Sequence, residues 1–484
     1  MNKSIRQLQP QSVWEFFDDI CQIPRPSKKE EKIKAYLFEF GAKYKLETLE
    51  DEIGNILIRK PATKGFENLP WVVMQSHIDM VCEKNSDVDH DFDSDPIRTR
   101  IDGEWVKAIG TTLGADDGIG VATQLAILAA DDIEHGPIEC LFTVDEETGL
   151  TGAFGLKPGF LKSEILLNLD SEDEGELFIG CAGGMDTVVK FDLDLENAPV
   201  DSKGYRIDIS GLRGGHSGDD IQKGYGNANK ILNRILQKGA ADFGLRLAKF
   251  DGGNLRNAIA REASAEVCVP ESVVCDFEVL VAQMADAVKA ELHVTEPNLN
   301  IALSEIDKLE KVFSLDLQTR LINSLYACPH GVIAWSQDIP NFVETSTNLA
   351  AVKTLDDHIL VTTSQRSSSE TEKQDVVNMV ASVFHLAGAE VEHTDGYPGW
   401  KPNPNSKIMD ITSSSYEKLF KKKPKVLAIH AGLECGLIGE TYPKMDMISY
   451  GPSIRGAHSP DERIEIKTVQ MFWDLTLDIL KSIR

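Results

Sequence analysis

A chain of 484 residues exceeds what one hydrophobic core sustains, so two domains are expected, or three. Its composition, 42% apolar and 26% charged, is that of a soluble globular protein, and no apolar run reaches the length of a membrane span. The formal net charge of −27, from 50 basic and 77 acidic residues, argues against a nucleic-acid partner. The first residues, MNKSIRQLQPQSVWEFFDD, contain no apolar export segment, and the eight cysteines include no C-x-x-C pair. Free thiols in a reducing cytoplasm are therefore expected.

Apolar periodicity predicts helices over 12–21 and 28–44, separated by Pro24 and Pro26, and strands over 55–58 and 71–75. The second strand runs into His77-Ile78-Asp79. Residues two apart in extended chain project to one face, so His77 and Asp79 would point together, as a metal-binding imidazole and the carboxylate that steadies it do. A lone H-x-D is more often an ordinary strand end, so this reading depends on partners elsewhere. The acidic alternation from Asp87 to Asp95 fails the EF-hand pattern in both registers and reads as a solvated loop.

The glycine-rich stretch 110–120 has neither G-x-G-x-x-G nor G-K-[ST], and carries the acids Asp116 and Asp117 ahead of a helix over 121–130. A strand over 138–144 ends in Asp145-Glu146-Glu147, and another over 165–169 ends in Asp170. Strands alternating with helices predict an α/β fold with a mainly parallel sheet flanked by helices, whose active site gathers at the carboxyl ends of the strands. His77, Glu146, Glu147 and Asp170 all fall at such ends.

After residue 184 the pattern changes to half-buried alternating strands interleaved with helices, in two successive blocks up to about residue 387. From 400 the α/β texture returns, with helices over 406–420 and 469–479 and strands over 426–429 and 447–450. The lysine run 421–425 reads as the end of the first of these helices. The economical topology is a catalytic domain of residues 1–183 and 400–484, interrupted by an inserted α+β domain of residues 184–399 with a doubled layout. The turn His430-Ala431-Gly432-Leu433-Glu434 follows a strand, which makes Gly432 and Glu434 candidates to line a pocket; a helix N-terminal turn explains them almost as well.

The candidates His77, Asp116, Glu146, Glu147, Asp170 and His458 combine imidazole with carboxylate, a donor set suited to Zn²⁺, with Co²⁺ or Mn²⁺ as substitutes. Five ligands with one shared carboxylate would hold two ions roughly 3.5–4 Å apart, and a carboxylate left free could serve as general base.

The segments S-H-I-D-M-V, G-A-D-D-G-I-G, D-E-E-T-G, N-L-D-S-E and G-A-H-S-P-D-E resemble, in order and across nearly the whole chain, the motif set of the di-zinc aminoacylase/carboxypeptidase peptidases. Their wording is similar to that of the family's cytosolic, carnosinase-like dipeptidases. The resemblance implies two Zn²⁺ per subunit, His77 and Asp170 on one, Glu147 and His458 on the other, and Asp116 between them. It implies that Asp79 orients His77, that Glu146 is the catalytic base, and that the Asp116-Asp117 peptide is cis. It also implies that the inserted domain is a lid and a homodimerisation surface. His216, in Leu212 to Gly218, would stabilise the oxyanion from its own subunit or its partner's, and Asn257 and Arg366 would hold the substrate. The expected activity is hydrolysis of unblocked dipeptides, Xaa-His dipeptides among them. An acylamino-acid deacylase, an aminotripeptidase and a non-catalytic metal- or peptide-binding protein are the alternatives.

Overall fold

The computed structural model describes residues 4–337 and 339–484. The chain forms two compact units. One contains the chain up to Gly180 together with Trp400–Ala428 and Leu433–Arg484; the other contains Cys181–Gly399 and Ile429–Gly432.

The first unit is built on an eight-stranded sheet. Four parallel strands form its middle: Ile138–Thr143, Val72–His77, Ile165–Asn168 and Asp446–Ser449, in that order. Ile56–Lys60 and Glu47–Glu50 add antiparallel strands on one side, and Glu176–Cys181 pairs antiparallel with Asp446–Ser449 on the other. Every residue of Val72–His77 and Ile138–Thr143 is buried, as central strands covered on both faces must be. This explains why they read as apolar runs rather than alternations. The predicted α/β sheet flanked by helices is what forms, with its parallel strands concentrated at the centre.

The helix predicted over 121–130 begins earlier, at Ala115, and runs to Ala129. Its first turn therefore includes Asp116 and Asp117, both with non-helical dihedral angles and joined by a cis peptide bond. Nearly every residue of this helix is buried, between the Val72–His77 strand and the Gln11–Cys21 helix. Lys421 caps the Lys407–Phe420 helix in left-handed conformation, its N–H donating to the Glu417 carbonyl. The lysine run thus ends a helix. Three short strands unmarked by any apolar run, Thr99–Asp102, Trp105–Ala108 and Arg463–Glu465, join Ile454–Arg455 in a separate four-stranded sheet.

The second unit carries a nine-stranded sheet, and each pairing described within it is antiparallel. Its doubling takes the form of one continuous sheet. Asn300–Ile306, Ser202–Ser210, Ala263–Pro270 and Arg246–Gly252 form one half. Val343–Thr354, His358–Ser367, Gly183–Asp192 and Glu390–His393 form the other, with Gly331–Trp335 beside the first of them. Among the described residues, Asp251 opposite Lys353 and Gly252 opposite Val352 are the strand pairs that join the halves. The helices Ala228–Phe243, Val274–Leu292, Leu315–Ala327 and Glu370–Leu386 bury one apolar cluster with this sheet, including Phe191, Phe250, Phe277, Phe313 and Phe384. Among the described residues no helix is long and apolar enough to cross a membrane.

Candidate metal centre

The four parallel strands of the first unit deliver their carboxyl ends to one place. His77 closes Val72–His77; Glu146 and Glu147 open a short helix just after Ile138–Thr143; Asp170 follows Ile165–Asn168; and His458 lies beyond Asp446–Ser449. Asp116 joins them from the first turn of the Ala115–Ala129 helix.

Asp116 stands between the two imidazoles. Its Oδ1 is 3.1 Å from His77 Nε2 and its Oδ2 is 3.3 Å from His458 Nε2. Asp170 Oδ1 lies 3.5 Å from His77 Nε2, and Glu147 Oε2 lies 3.0 Å from His458 Nε2. Two groups with metal-ligand spacing result, His77–Asp116–Asp170 and Asp116–Glu147–His458, sharing Asp116. Glu146 approaches His77 and Glu147 in a third grouping.

A second tier of contacts orients these groups. Asp79 Oδ1 lies 3.3 Å from His77 Nδ1, and the Asp79 carboxylate accepts from Ser27 Oγ at 2.7 Å and from the N–H groups of Glu146 and Glu147 at 3.0 and 3.2 Å. One carboxylate therefore steadies both the imidazole and the turn that presents the two glutamates. Arg25 donates to the carbonyls of Ile78, Asp79 and Gly114, tying the His77 strand end to the Asp116 turn. Glu462 accepts from the N–H groups of Leu113, Gly114 and Ala115 at 2.7, 2.9 and 2.7 Å. Glu434 is fully buried, its Oε2 accepting from Gln75 Nε2 at 2.6 Å and Thr143 Oγ1 at 2.7 Å. Ser27, Arg25 and the role of Glu462 escape sequence reading, since each acts on backbone or side chains far away in the chain. A Glu two places beyond the Pro of G-A-H-S-P-D-E was visible only as part of a motif.

The electrostatics are those of a cage built for cations. Among the described residues, the ion-pair partners of Asp79, Asp116, Glu147 and Asp170 are the two imidazoles alone. Hydrogen bonds to Asp116 and Glu147 push His458 up to about 11. Burial acts to lower His77, but Asp170 and Asp116 outweigh it and hold its pKa well above the ordinary value. Burial raises Asp170 to about 7, and together with Asp170, Glu434 and Glu147 it raises Glu146 well above the usual carboxylate range. Glu147 Oε1 is buried with no hydrogen-bond partner. A buried carboxylate oxygen without a donor is costly, and a metal ion relieves that cost where no N–H or O–H does. The donor set of imidazole and carboxylate fits Zn²⁺, Co²⁺ or Mn²⁺.

A family model for peptidase family M20/M25/M40 matches residues 73–481. The chain belongs to this family. As an M20 peptidase it is an enzyme, and the matched span includes His77 through His458. The chain is 45% identical over 479 residues to the cytosol non-specific dipeptidase of Escherichia coli (strain K12), covering 99% of both chains. It also resembles the crystal structure of aminoacylhistidine dipeptidase from Vibrio alginolyticus, with 47% identity and a TM-score of 0.93, over 100% of this chain and 98% of that one. A tripeptidase from Staphylococcus aureus shares the fold at 17% identity and a TM-score of 0.58, over 98% of this chain and 99% of that one.

The remaining candidates of this M20 peptidase lie in the second unit, apart from Glu434. His216 is half-buried in a turn where its Nδ1 accepts from the Asp219 N–H at 3.2 Å, and its backbone bridges Ala258. Asn257 is exposed, and its carbonyl accepts from the Ser217 N–H at 2.8 Å. Arg366 is buried on the His358–Ser367 strand, with Nη1 donating to Tyr397 Oη at 3.2 Å. Gly432 packs against the Tyr397 ring.

Proposed function

We propose that this protein is a cytosolic dipeptidase whose first unit holds two metal ions, Zn²⁺ with Co²⁺ or Mn²⁺ as substitutes, one by His77 and Asp170, the other by Glu147 and His458, with Asp116 shared. The observation that carries this reading is the placing of one Asp116 oxygen against each imidazole. The substrate class is supported by the high identity to the E. coli and Vibrio relatives, one named as a non-specific dipeptidase, the other as an aminoacylhistidine dipeptidase. Xaa-His dipeptides are accordingly among the proposed substrates.

When bound, the ions supply Lewis-acid polarisation of the scissile carbonyl and acidify water. Glu146 is the general base. It takes a proton as the water oxygen adds to the carbonyl carbon, and passes it to the leaving nitrogen as the C–N bond breaks. Its carboxylate stands beside His77 and Glu147, within reach of the same cage, which is what a positioned proton acceptor requires. Asp79 keeps His77 in register for ligation by facing Nδ1, and fixes the Glu146 backbone through the same carboxylate.

The second unit supplies substrate contacts. Arg366 receives the terminal carboxylate, for which its planar fork is suited and its buried, unpartnered Nε available. His216 stabilises the developing oxyanion, from its own subunit or across a homodimer, and Asn257 and Gly432 help hold the peptide. The same proposal gives this unit the roles of lid and homodimer surface.

Hydrolysis of Xaa-His dipeptides, other dipeptides, tripeptides and N-acetyl amino acids by the metal-loaded protein tests the reading. Dipeptides should be hydrolysed best, by at least an order of magnitude in kcat/KM; preference for acetylated amino acids or tripeptides would overturn it.

A further inference from the structure

One row across the sheet of the second unit brings polar side chains together. Ser346, Arg366 and Gly184 are directly paired on successive strands, and Gly184 is bridged in turn to Tyr397. The Gly184 N–H donates to the Tyr397 carbonyl at 3.1 Å, and the Tyr397 N–H donates to the Gly184 carbonyl at 2.8 Å. Residues directly opposite one another share a face of a sheet. Gly184 contributes no side chain to that face, and the space is occupied. A Cβ at Gly184 would lie 2.7 Å from Cε1, Cζ and Oη of Tyr397, closer than such contacts ever come. The Tyr397 ring therefore lies across the glycine and carries its hydroxyl to Arg366, where it accepts from Nη1 at 3.2 Å.

The ring is held on its other edge as well. A Cβ at Gly432 would lie 2.8 Å from Tyr397 Cε2, and Lys373 Nζ donates to the Tyr397 carbonyl at 2.6 Å. Two glycines thus make room for one tyrosine. Its hydroxyl occupies Nη1 of Arg366, leaving the edge formed by Nε and Nη2. Those two N–H groups are parallel and match the two oxygens of a carboxylate. Arg366 is 7% exposed and its Nε is buried with no hydrogen-bond partner, so one donor of this edge is left for a ligand.

We infer that Tyr397 is a positioning residue for substrate selection, its hydroxyl locking the Arg366 guanidinium so that the Nε–Nη2 edge meets the terminal carboxylate of a dipeptide. The inference rests on the carboxylate-binding role proposed above for Arg366. A guanidinium fixed before the substrate arrives loses less rotamer freedom on binding than a free one. The gain falls on substrates with a free carboxylate and is absent for those without.

The test compares a dipeptide with its C-terminal amide, reading kcat and KM separately, for the parent protein and for Tyr397→Phe, Gly184→Ala and Arg366→Lys. Tyr397→Phe should raise KM for the free acid about tenfold, with kcat within about twofold and the amide unaffected, as expected when one hydrogen bond to a charged group is lost. Gly184→Ala, which displaces the ring, should give the same selective loss. If Tyr397→Phe impairs acid and amide equally, or neither, while Arg366→Lys abolishes the preference for the acid, the role given to Tyr397 is wrong. If Arg366→Lys keeps that preference, the assignment of Arg366 fails and the inference with it.

Discussion

Glu462 and the Asp116 turn are joined through the backbone although they lie 346 to 349 residues apart in the chain. The Glu462 carboxylate accepts from Leu113, Gly114 and Ala115, and Asp116 N–H points to the same carboxylate at 3.4 Å. The first N–H groups of a helix have no partner within it, and the end they occupy favours a negative charge. Gly114, at the N-cap of Ala115–Ala129, has no side chain to serve them. Glu462 does so, and in doing so sets where the Asp116 carboxylate stands.

Glu462→Gln keeps the shape but turns one acceptor into a donor facing N–H groups. Metal affinity should fall about 10- to 100-fold, the usual cost of losing an outer contact to a ligand. Competition with a chelator measures it; an unchanged dissociation constant would show that the turn holds itself.

Glu146→Gln should lower turnover by about 10²- to 10⁴-fold, the range a positioned proton acceptor supplies. Metal content should stay at the parent level, because His77, Asp116, Glu147, Asp170 and His458 are untouched. Elemental analysis beside a dipeptide assay separates the two effects. Retained turnover would move the base elsewhere.

Metal uptake should release protons and strengthen as pH rises. The metal-free cage raises His458 to about 11 and His77 well above its ordinary value, so both rings carry protons at neutrality and must lose them before ligating. Asp170, raised to about 7, adds a further proton as pH falls through that value. Affinity should therefore weaken steadily from about pH 8 to 6. Calorimetry in buffers of different ionisation enthalpy counts the protons; affinity constant across that range would contradict the cage electrostatics.

The central strands were legible because burial on both faces favours consecutive apolar residues, as in Val72–Met74 and Cys140–Phe142. His77, Glu146, Glu147 and Asp170 stood out for the same reason, being polar where those runs stop, whereas Asp116 and His458 lie at no strand end. The start of the Ala115–Ala129 helix was not legible, since a glycine-rich stretch has poor helix propensity and its cap comes from Glu462. Thr99–Asp102 and Trp105–Ala108 were missed because a distant segment, Arg463–Glu465, completes their sheet. Tyr397 gave no local signal either. Strand register alone shows that the side chain Gly184 lacks makes room for a ring beside Arg366.

The most direct test is titration of metal-free protein with Zn²⁺ while dipeptide hydrolysis and bound metal are followed together. Activity should climb and level off at two ions per chain, and Glu146→Gln should take up the same two ions without gaining activity. A protein that binds its metal yet hydrolyses no dipeptide, or that reaches full activity with its Asp116 carboxylate replaced by Asn, would contradict the shared-carboxylate dipeptidase site.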